Sequence, residues 1–414
     1  MFNGPNSVEV IQVILRTFDD ELYDITPIVT EIALFEGISN YFVEGEIAIL
    51  DNSGILASYP LIGQERIEIT IKRKNQDKFI RKEFFLTGPQ NVAQVNVGTG
   101  GILMSMTSIN AVINAQSIFS RSYSGLNTDL IAQIYKDFFE IDVTVQSIGG
   151  SSHNIVFPYM KPLQALDYII SKTSSVDNSP LFLYERLYDN DVILKSFSDM
   201  YKEDPIDVTS RISANTNTKG SSTIDAQNQK GLLSNVHIEQ AYNAFYLLDN
   251  GFLSHKIEEI DYNNKKFTEI DFNYSEHSNV NSEDFITDQF KQGINTKSLA
   301  KINYKAPRSF ETLQSISSKD SLSKSSYRTQ ETFRNNINII AHGDHAEGLS
   351  VGETLYMKYP KFMPMLSTGD DSKDKINSGV FVVNEIIHKY SAANGGKYEI
   401  ELMLSRDGIN DDRY

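Results

Sequence analysis

The chain has 414 residues, of which 40% are hydrophobic and 22% are charged, and its formal net charge is −16. This composition is typical of globular domains, and the acidic balance disfavours binding to DNA or RNA through their phosphates. Because the chain contains no cysteine, disulfides, thiolate metal sites and cysteine nucleophiles are excluded.

Residues 7–108 have the pattern of short β-strands. Segments rich in Ile, Val and Phe, such as VEVIQVILR, FVEGEIAILD and EFFLTG, alternate with turn signals such as LDNSG. The clearest strand is 66–72, in which isoleucines alternate with four polar residues, Arg66, Glu68, Thr70 and Lys72. A period of two predicts one buried and one polar face, and such closely spaced strands favour an antiparallel barrel or sandwich.

Two helices are predicted in the next part of the chain. Apolar residues recur at helical spacing in NTDLIAQIYKDFFE (127–140), where Asn127 or Thr128 has the chemistry of an N-cap. The same spacing is present in KPLQALDYIISKTS (161–174), where Pro162 suits the first helical turn.

A strand pair follows these helices. The segment PLFLYERLYDNDVILKSFSD (180–199) contains two apolar runs on either side of a polar turn at 189–191. Helices and strands together predict a separate mixed α+β unit over residues 113–205.

The chain then becomes polar. Residues 206–232 and 308–336 are rich in Ser, Thr and Asn, which is typical of loops or linkers. Between them, residues 252–274 predict paired strands around a turn at Asn263–Asn264. Residues 282–301 predict one helix or two short ones.

The strand pattern returns near the end of the chain and repeats an earlier one. The segment IGQERIEITI, beginning at Ile62, resembles the segment VGETLYMKY, beginning at Val351. Residues 84–108 and 381–405 each combine an aromatic-led strand, a Gly-Gly turn and a closing strand with Met near its end. This repetition predicts two similar barrels in one chain.

The densest group of polar side chains is AHGDHAEG, which contains His342, Asp344, His345 and Glu347. Imidazoles and carboxylates of this kind can hold zinc or manganese. Their spacing does not match the helical H-E-x-x-H pattern, and the flanking strands favour a polar turn instead.

Other catalytic patterns give no candidate residue. No G-x-S-x-G elbow is present, and with 54 acidic residues no carboxylate pair can be selected from the sequence. The NVGTGG segment lacks the Lys-Ser/Thr of a phosphate loop and predicts a hairpin turn. We therefore expect no catalytic residue, no cofactor and no enzymatic activity.

Several segments resemble one known family, the central hub protein of contractile phage tail baseplates, of the T-even type. This family is related to the hub part of secretion-system spike proteins. The segments that carry the resemblance are LDNSGILASYPLIGQERIEITIK, FSRSYSGLNTDLIAQIYKDFFE, FPYMKPLQALDYIISKTS, SPLFLYERLYDNDVILKSFSDMY, NGFLSHKIEEIDYNNKKFTEIDFNY and LSVGETLYMKYP. The two polar linkers and the AHGDHAEG segment depart from the family pattern.

The resemblance implies a fold that is α+β and mainly β. It consists of two similar antiparallel tube-protein-like β-barrels and two smaller mixed α+β domains. The implied domains are a first barrel at 1–112, a mixed α+β domain at 113–205, a second barrel at 206–245 with 330–414, and an inserted domain at 246–329.

The resemblance also implies a structural role in the virion. Three copies form a ring that adapts the six-fold tail tube to the three-fold spike and leaves a central channel. The implied partners are the chain itself, the tail tube protein, a separate spike protein and other baseplate proteins. DNA passes through the channel without specific binding, no membrane span is expected, and assembly takes place in the host cytoplasm.

Within this ring, the polar face of strand 66–72 is expected to meet the lumen or a neighbouring subunit, so Arg66, Glu68, Thr70 and Lys72 are the predicted interface residues. Two other functions remain open from the sequence. One is a tail-associated enzyme that degrades the cell wall, and the other is a peripheral β-rich baseplate protein.

Overall fold

The computed structural model describes most of the N-terminal half of the chain and separate parts of the C-terminal half. The described residues are 8–52, 54, 61–73, 79–96, 99–149, 152–176, 179–205, 213–214, 232–238, 249, 251, 254–261, 265–273, 300–304, 322, 337–342, 349–357, 378–392 and 396–406. Over these ranges the protein is α+β and mainly β, as the sequence predicts.

The first part of the chain forms strands of one large antiparallel sheet. These strands are β1 (Val8–Arg16), β2 (Leu22–Asp24), β3 (Val29–Gly37), β4 (Glu44–Asp51), β5 (Arg66–Arg73), β6 (Phe79–Asn96) and β7 (Thr99–Thr107). The alternation predicted for β5 is confirmed, because Ile67, Ile69 and Ile71 are buried while the polar residues between them are partly exposed. Opposite them on β1, Val13 and Leu15 lie on the same buried face.

The next part contains four helices and two small sheets. The elements are α1 (Ile109–Gln116), β8 (Phe119–Leu126), α2 (Asn127–Phe139), β9 (Val143–Val145), β10 (Ser152–Met160), α3 (Pro162–Ile170), β11 (Leu181–Glu185), β12 (Val192–Ser196) and α4 (Phe197–Lys202). Strand β8 pairs with β10, and β12 lies between β11 and β9. No helix of the described residues has the length and apolar character needed to cross a membrane.

The predicted helices and hairpin are present, but their boundaries differ. Helix α2 has Leu126 at its N-cap, whereas the sequence pointed to Asn127 or Thr128. The Asn127 amide instead donates to Thr173 Oγ1 at 2.9 Å. Helix α1 was not predicted, and it begins where the Ser108 side chain accepts a hydrogen bond from the Asn110 N–H.

The remaining strands come from the C-terminal half. They are β13 (Ser213–Ala214), β14 (Leu232–Ile238), β15 (Ser254–Asp261), β16 (Lys266–Asn273), β17 (Ala300–Tyr304), β18 (Ile337–His342), β19 (Thr354–Met357), β20 (Gly379–Ser391) and β21 (Lys397–Ser405). The predicted pair in 252–274 is confirmed as β15 and β16, although the turn residues 263–264 lie outside the described residues. Most of the predicted helix at 282–301 also lies outside them.

Most of the described strands belong to one sheet, in which 13 strands are described. Its order is β13-β14-β18-β21-β20-β3-β4-β7-β6-β5-β1-β2, with β19 paired to β20. The pairing of β3 with β20 joins strands from the two ends of the chain, and we call it the internal seam. The described strands form one open path, so the two closed barrels and the domain borders stay predictions.

Two groups of three strands are built alike. In the N-terminal strand group (β5–β7) and the C-terminal strand group (β19–β21), the first strand pairs with the second and the second with the third, all antiparallel. The Leu86 N–H donates to the Glu65 carbonyl at 2.9 Å, and the Val383 N–H donates to the Glu353 carbonyl at the same distance. A register shift follows Leu86 in β6 and Val383 in β20. The two segments that resemble each other in sequence therefore adopt the same local structure.

Among the residues that the structure describes, the buried apolar side chains form two clusters. One lies within the α+β unit, where α2 and α3 pack against β8, β10, β11 and β12. The other follows the large sheet and also includes Phe182, Tyr184 and Leu187 of the α+β unit. The β11–β12 hairpin thereby packs against the core of the large sheet.

Candidate assembly interface

The polar face of β5 carries side chains that already have partners within the chain. The Arg66 guanidinium lies 3.8 Å from the Glu83 carboxylate and 4.8 Å from the ring centroid of Phe85. Both partners belong to the adjacent strand β6 of the antiparallel sheet, where facing residues come close enough to interact. Arg66 is therefore held in place on the sheet, with 42% of its side chain exposed.

Glu68 and Lys72 of this face also have partners on β6. Glu68 accepts a hydrogen bond from Arg81 on β6, with 2.7 Å between the charged atoms. Lys72 lies over the Phe79 ring at 5.4 Å from its centroid. Thr70 stands opposite Gln12 of β1 and Arg81 of β6. The four predicted interface residues thus share one partly exposed, polar surface, while their contact with another subunit stays a prediction.

The metal-binding candidates are mostly outside the described residues. His342 is the last residue of β18, and its backbone stands opposite Glu399 of β21. Asp344, His345 and Glu347 lie in 343–348, beyond the described part of the chain. Among the residues that the structure describes, no three His, Asp or Glu side chains are grouped as a metal site requires.

A buried polar junction connects the α+β unit to the large sheet. Its first part is an ion pair between Lys82 of β6 and Glu185 at the end of β11, with side chains only 7% and 5% exposed. Lys82 also donates to Asn190 Oδ1 at 3.2 Å, and Glu185 accepts from the Val43 N–H at 3.0 Å. These bonds give both charged groups partners. Burial of either charge without a partner would strongly destabilise the fold.

The second part of the junction lies at the internal seam. Glu36 of β3 accepts from the Leu187 N–H at 2.8 Å and lies 3.2 Å from Nε2 of His388 on β20. The other ring nitrogen of His388 is 2.6 Å from the hydroxyl of Tyr398 on β21. Glu36 and His388 are fully buried, so this chain of hydrogen bonds joins three strands and the β11–β12 turn away from solvent.

The third part involves the turn before β19. Arg186 pairs with Asp189 in its own turn, and it also lies 3.4 Å from the Glu353 carboxylate. Burial raises the pKa of Glu353 to about 7, although the Ser350 N–H and the Arg186 charge act in the opposite direction. The nearby carboxylates of Glu203 and Glu36 raise it further. A group with this pKa changes its charge near neutral pH.

Gly352 fits this turn for two reasons. Its φ of +79° is rarely adopted by residues with a side chain. A Cβ at this position would lie only 2.0 Å from the Tyr184 hydroxyl. The strand group and the α+β unit therefore approach each other as closely as backbone and ring allow.

The junction has the character of a structural joint, since its charged groups are paired with one another and are buried or half-buried. Only part of it had a signal in the sequence. The paired segments around Gly63 and Gly352 marked the two turns as equivalent, but nothing linked Glu36, Lys82 or Glu185 to distant partners. Those side chains come together only through the sheet topology.

Comparisons with known proteins address the fold as a whole. No family model and no curated protein matches the chain. Among solved structures, it is similar to the tail protein from Neisseria meningitidis MC58, with a TM-score of 0.55 and 11% identity, over 96% of this chain and 97% of that one. It is also similar to the 43 kDa tail protein of prophage MuSo2 from Shewanella oneidensis, with a TM-score of 0.55 and 9% identity, over 97% and 100% of the two chains. The resemblance to phage tail proteins that the sequence indicated is confirmed at the level of the fold.

Proposed function

We propose that the protein is a structural component of a phage tail, namely the hub of its baseplate. The observation that carries this proposal is the extent of the structural match, which covers 96% of this chain for one tail protein and 97% for another. A chain that carried an additional catalytic domain would leave a large part unmatched. The proposed role is therefore non-enzymatic.

In the proposed assembly, three copies form a ring with a central channel. The two strand groups of each copy lie in equivalent tube-like barrels, so that three copies present six similar units to the six-fold tail tube. The side of the ring opposite the tail tube has three-fold symmetry and binds a separate spike protein. Support comes from the matching connectivity of β5–β7 and β19–β21, because repeated units on a three-fold axis produce a pseudo-six-fold surface.

The proposal includes the surroundings of the ring. Other baseplate proteins contact its outer surface, the assembled particle is the virion, and assembly takes place in the host cytoplasm. DNA passes through the channel without being bound specifically, and the net charge of −16 suits a wall that repels phosphates. We place Arg66, Glu68, Thr70 and Lys72 on the lumen or against a neighbouring copy.

The native mass of the purified protein tests the proposal. We expect light scattering after size-exclusion chromatography to give about three times the 46.7 kDa of one chain. Averaged electron-microscopy images of the same fraction should show a ring with a central opening. A single-chain mass at every concentration, or hydrolysis of purified peptidoglycan by the protein, would contradict the proposed role.

A further inference from the structure

In the internal seam, β20 of the C-terminal strand group pairs with β3 from the other end of the chain. Residues Glu385–Ser391 of β20 pair antiparallel with Glu31–Gly37 of β3. The Ile38 N–H extends this ladder by donating to the Asn384 carbonyl at 2.9 Å. The seam is thus a continuous run of backbone hydrogen bonds, which needs no special side chains.

On β20, the edge that faces away from β21 is occupied by two strands in succession. Strand β19 pairs with Gly379–Val382, and β3 takes over from Glu385. On the opposite edge, β21 pairs with β20 from Val382 to Ser391. Strand β20 therefore has partners on both sides along its second half.

Strand β6 is the equivalent of β20, but among the described strands its second half pairs with a partner on one side only. Strand β5 pairs with Phe79–Phe85, as β19 does with the start of β20. Strand β7 pairs with the other edge from Phe85 to Asn96. Beyond Phe85, no strand among the described residues occupies the edge that β5 leaves. This is the position that β3 fills on β20.

Strand β14 is the equivalent of β3. Ile32 of β3 stands opposite Ile47 of β4, which stands opposite Met104 of β7. In the same way, Val236 of β14 stands opposite Ile339 of β18, which stands opposite Leu402 of β21. The order β3-β4-β7-β6 is thus repeated as β14-β18-β21-β20.

Within the described residues, the outer edge of β14 is also largely without a paired strand. Strand β13 pairs with this edge at Leu232 and Leu233 only. For Ser234–Ile238, the described part of the chain supplies no partner on that side. In the described part of the chain, the second half of β6 and the outer edge of β14 therefore correspond to the two sides of the internal seam.

We propose that β6 of one copy pairs antiparallel with β14 of the next copy, repeating the internal seam between molecules. This inference rests on the proposed homo-oligomeric hub and names the strands that hold it together. Exposed strand edges readily accept a further strand through backbone hydrogen bonds. Because the two edges differ, the contact is head-to-tail, and repeating it generates a ring when the rotation closes.

The internal seam predicts the register of the new one. Tyr390 stands opposite Ile32 and Lys389 opposite Ala33 in the internal seam. Through their partners on β21 and β7, Tyr390 and Lys389 of β20 correspond to Gln94 and Ala93 of β6. Through their partners on β4 and β18, Ile32 and Ala33 of β3 correspond to Val236 and His237 of β14. The new seam therefore places Gln94 opposite Val236 and Ala93 opposite His237. Pro89 lacks an N–H and stands at a register shift, so the pairing is centred on the residues beyond it.

Cysteine cross-linking tests this register directly, because the chain has no cysteine of its own. Ala93→Cys and His237→Cys are made as separate variants and mixed before assembly, and so are Gln94→Cys and Val236→Cys. Neighbouring positions on antiparallel strands alternate between wide and narrow Cα spacing, so one of the two mixtures has the spacing that a disulfide needs. A disulfide in a mixture can form only between different copies.

We expect a dimer band on a denaturing gel after oxidation of at least one mixture, which dithiothreitol removes. Each single variant alone should give no dimer, since a head-to-tail contact does not place a residue against itself. The double variant Ala33→Cys with Lys389→Cys is the matched control, because its disulfide stays within one chain. Native mass before oxidation shows that each variant still folds and assembles.

The outcomes separate the seam from the proposed function. A native mass of three chains without a cross-link in either mixture would overturn the seam and leave the trimeric hub intact. Cross-links in a particle of two chains, or in an open series of larger ones, would support the seam and contradict the three-fold ring. A monomer that gives no cross-link at any concentration would overturn both.

Discussion

The N-terminal and C-terminal strand groups use the same turn and differ in what surrounds it. Before β5, the Glu65 carboxylate accepts three backbone N–H groups, from Ile62, Gly63 and Gln64, at 2.9–3.2 Å. Before β19, the Glu353 carboxylate accepts one backbone N–H among the described residues, from Ser350. Its ion-pair partner, Arg186, comes from the α+β unit.

The strands that follow these two turns also differ in how deeply they are buried. Strand β5 keeps its polar face partly exposed, whereas all four residues of β19 are buried. The two strand groups therefore share a backbone structure, and their side chains determine what each group contacts. Both strand groups contact the α+β unit, through Lys82 of β6 and through Glu353 before β19, but only in the N-terminal group does the first strand keep a partly exposed polar face.

The largest difference should appear when each turn glycine is replaced by alanine. Gly352→Ala places a Cβ 2.0 Å from the buried Tyr184 hydroxyl, whereas at Gly63 the nearest atom would be 3.7 Å away. We expect Gly352→Ala to lower the free energy of unfolding by about 4 kcal/mol or to prevent folding. Gly63→Ala should cost about 1–2 kcal/mol through its positive φ alone. Urea denaturation measures both, and equal losses would mean that the close approach at Tyr184 is unimportant.

Two neighbouring basic residues of β6 should differ next most. Lys82→Met leaves Glu185 buried without its ion-pair partner, so we expect a loss of about 3–4 kcal/mol. Arg81→Met removes an exposed pair with Glu68 and should cost less than about 1 kcal/mol. Adding Glu185→Gln to Lys82→Met should restore part of the stability, because the amide oxygen still accepts from the Val43 N–H. If the double variant is no more stable than Lys82→Met, the buried charge is not the cause of the loss.

The raised pKa of Glu353 predicts a stability that depends on pH. Between the ordinary value of 4.5 and the folded value of about 7, the folded protein retains a proton that the unfolded chain has released. The free energy of unfolding therefore falls as pH rises through this window, by at most about 3 kcal/mol. Glu353→Gln should lack this fall. Denaturation midpoints of both proteins from pH 5 to 8 provide the measurement, and parallel curves would rule out Glu353 as the titrating group.

The smallest effect on stability is expected on the polar face of β5. Reversing Arg66 and Lys72 to Glu breaks only partly exposed contacts, so the free energy of unfolding should change by less than about 1 kcal/mol. Assembly should weaken nonetheless if this face meets a neighbouring copy, because like charges would then oppose each other. The control variant reverses Arg121 and Lys136, two exposed residues of the α+β unit. Native mass as a function of concentration compares them, and identical curves would place the β5 face outside the interface.

Local features of this chain were readable from the sequence, and distant contacts were not. The alternation in β5 and the helical spacing in α2 depend on neighbouring residues, so both elements were predicted correctly. Helix α1 was missed because it is short and follows a strand directly. Glu36 and His388 stand 352 positions apart, and no local pattern marks them as partners. Their pairing follows from the internal seam, which only the complete sheet defines.

The internal seam also affects how the protein is made. The ribosome completes β3 long before it reaches β20, so the edge of β3 stays without its final partner through most of synthesis. Pairing between such distant segments forms slowly, because a large loop must close first. A chain that stops before β20 cannot complete its sheet. The seam therefore keeps unfinished chains from acquiring the finished fold, and only full-length molecules can present the surfaces on which assembly depends.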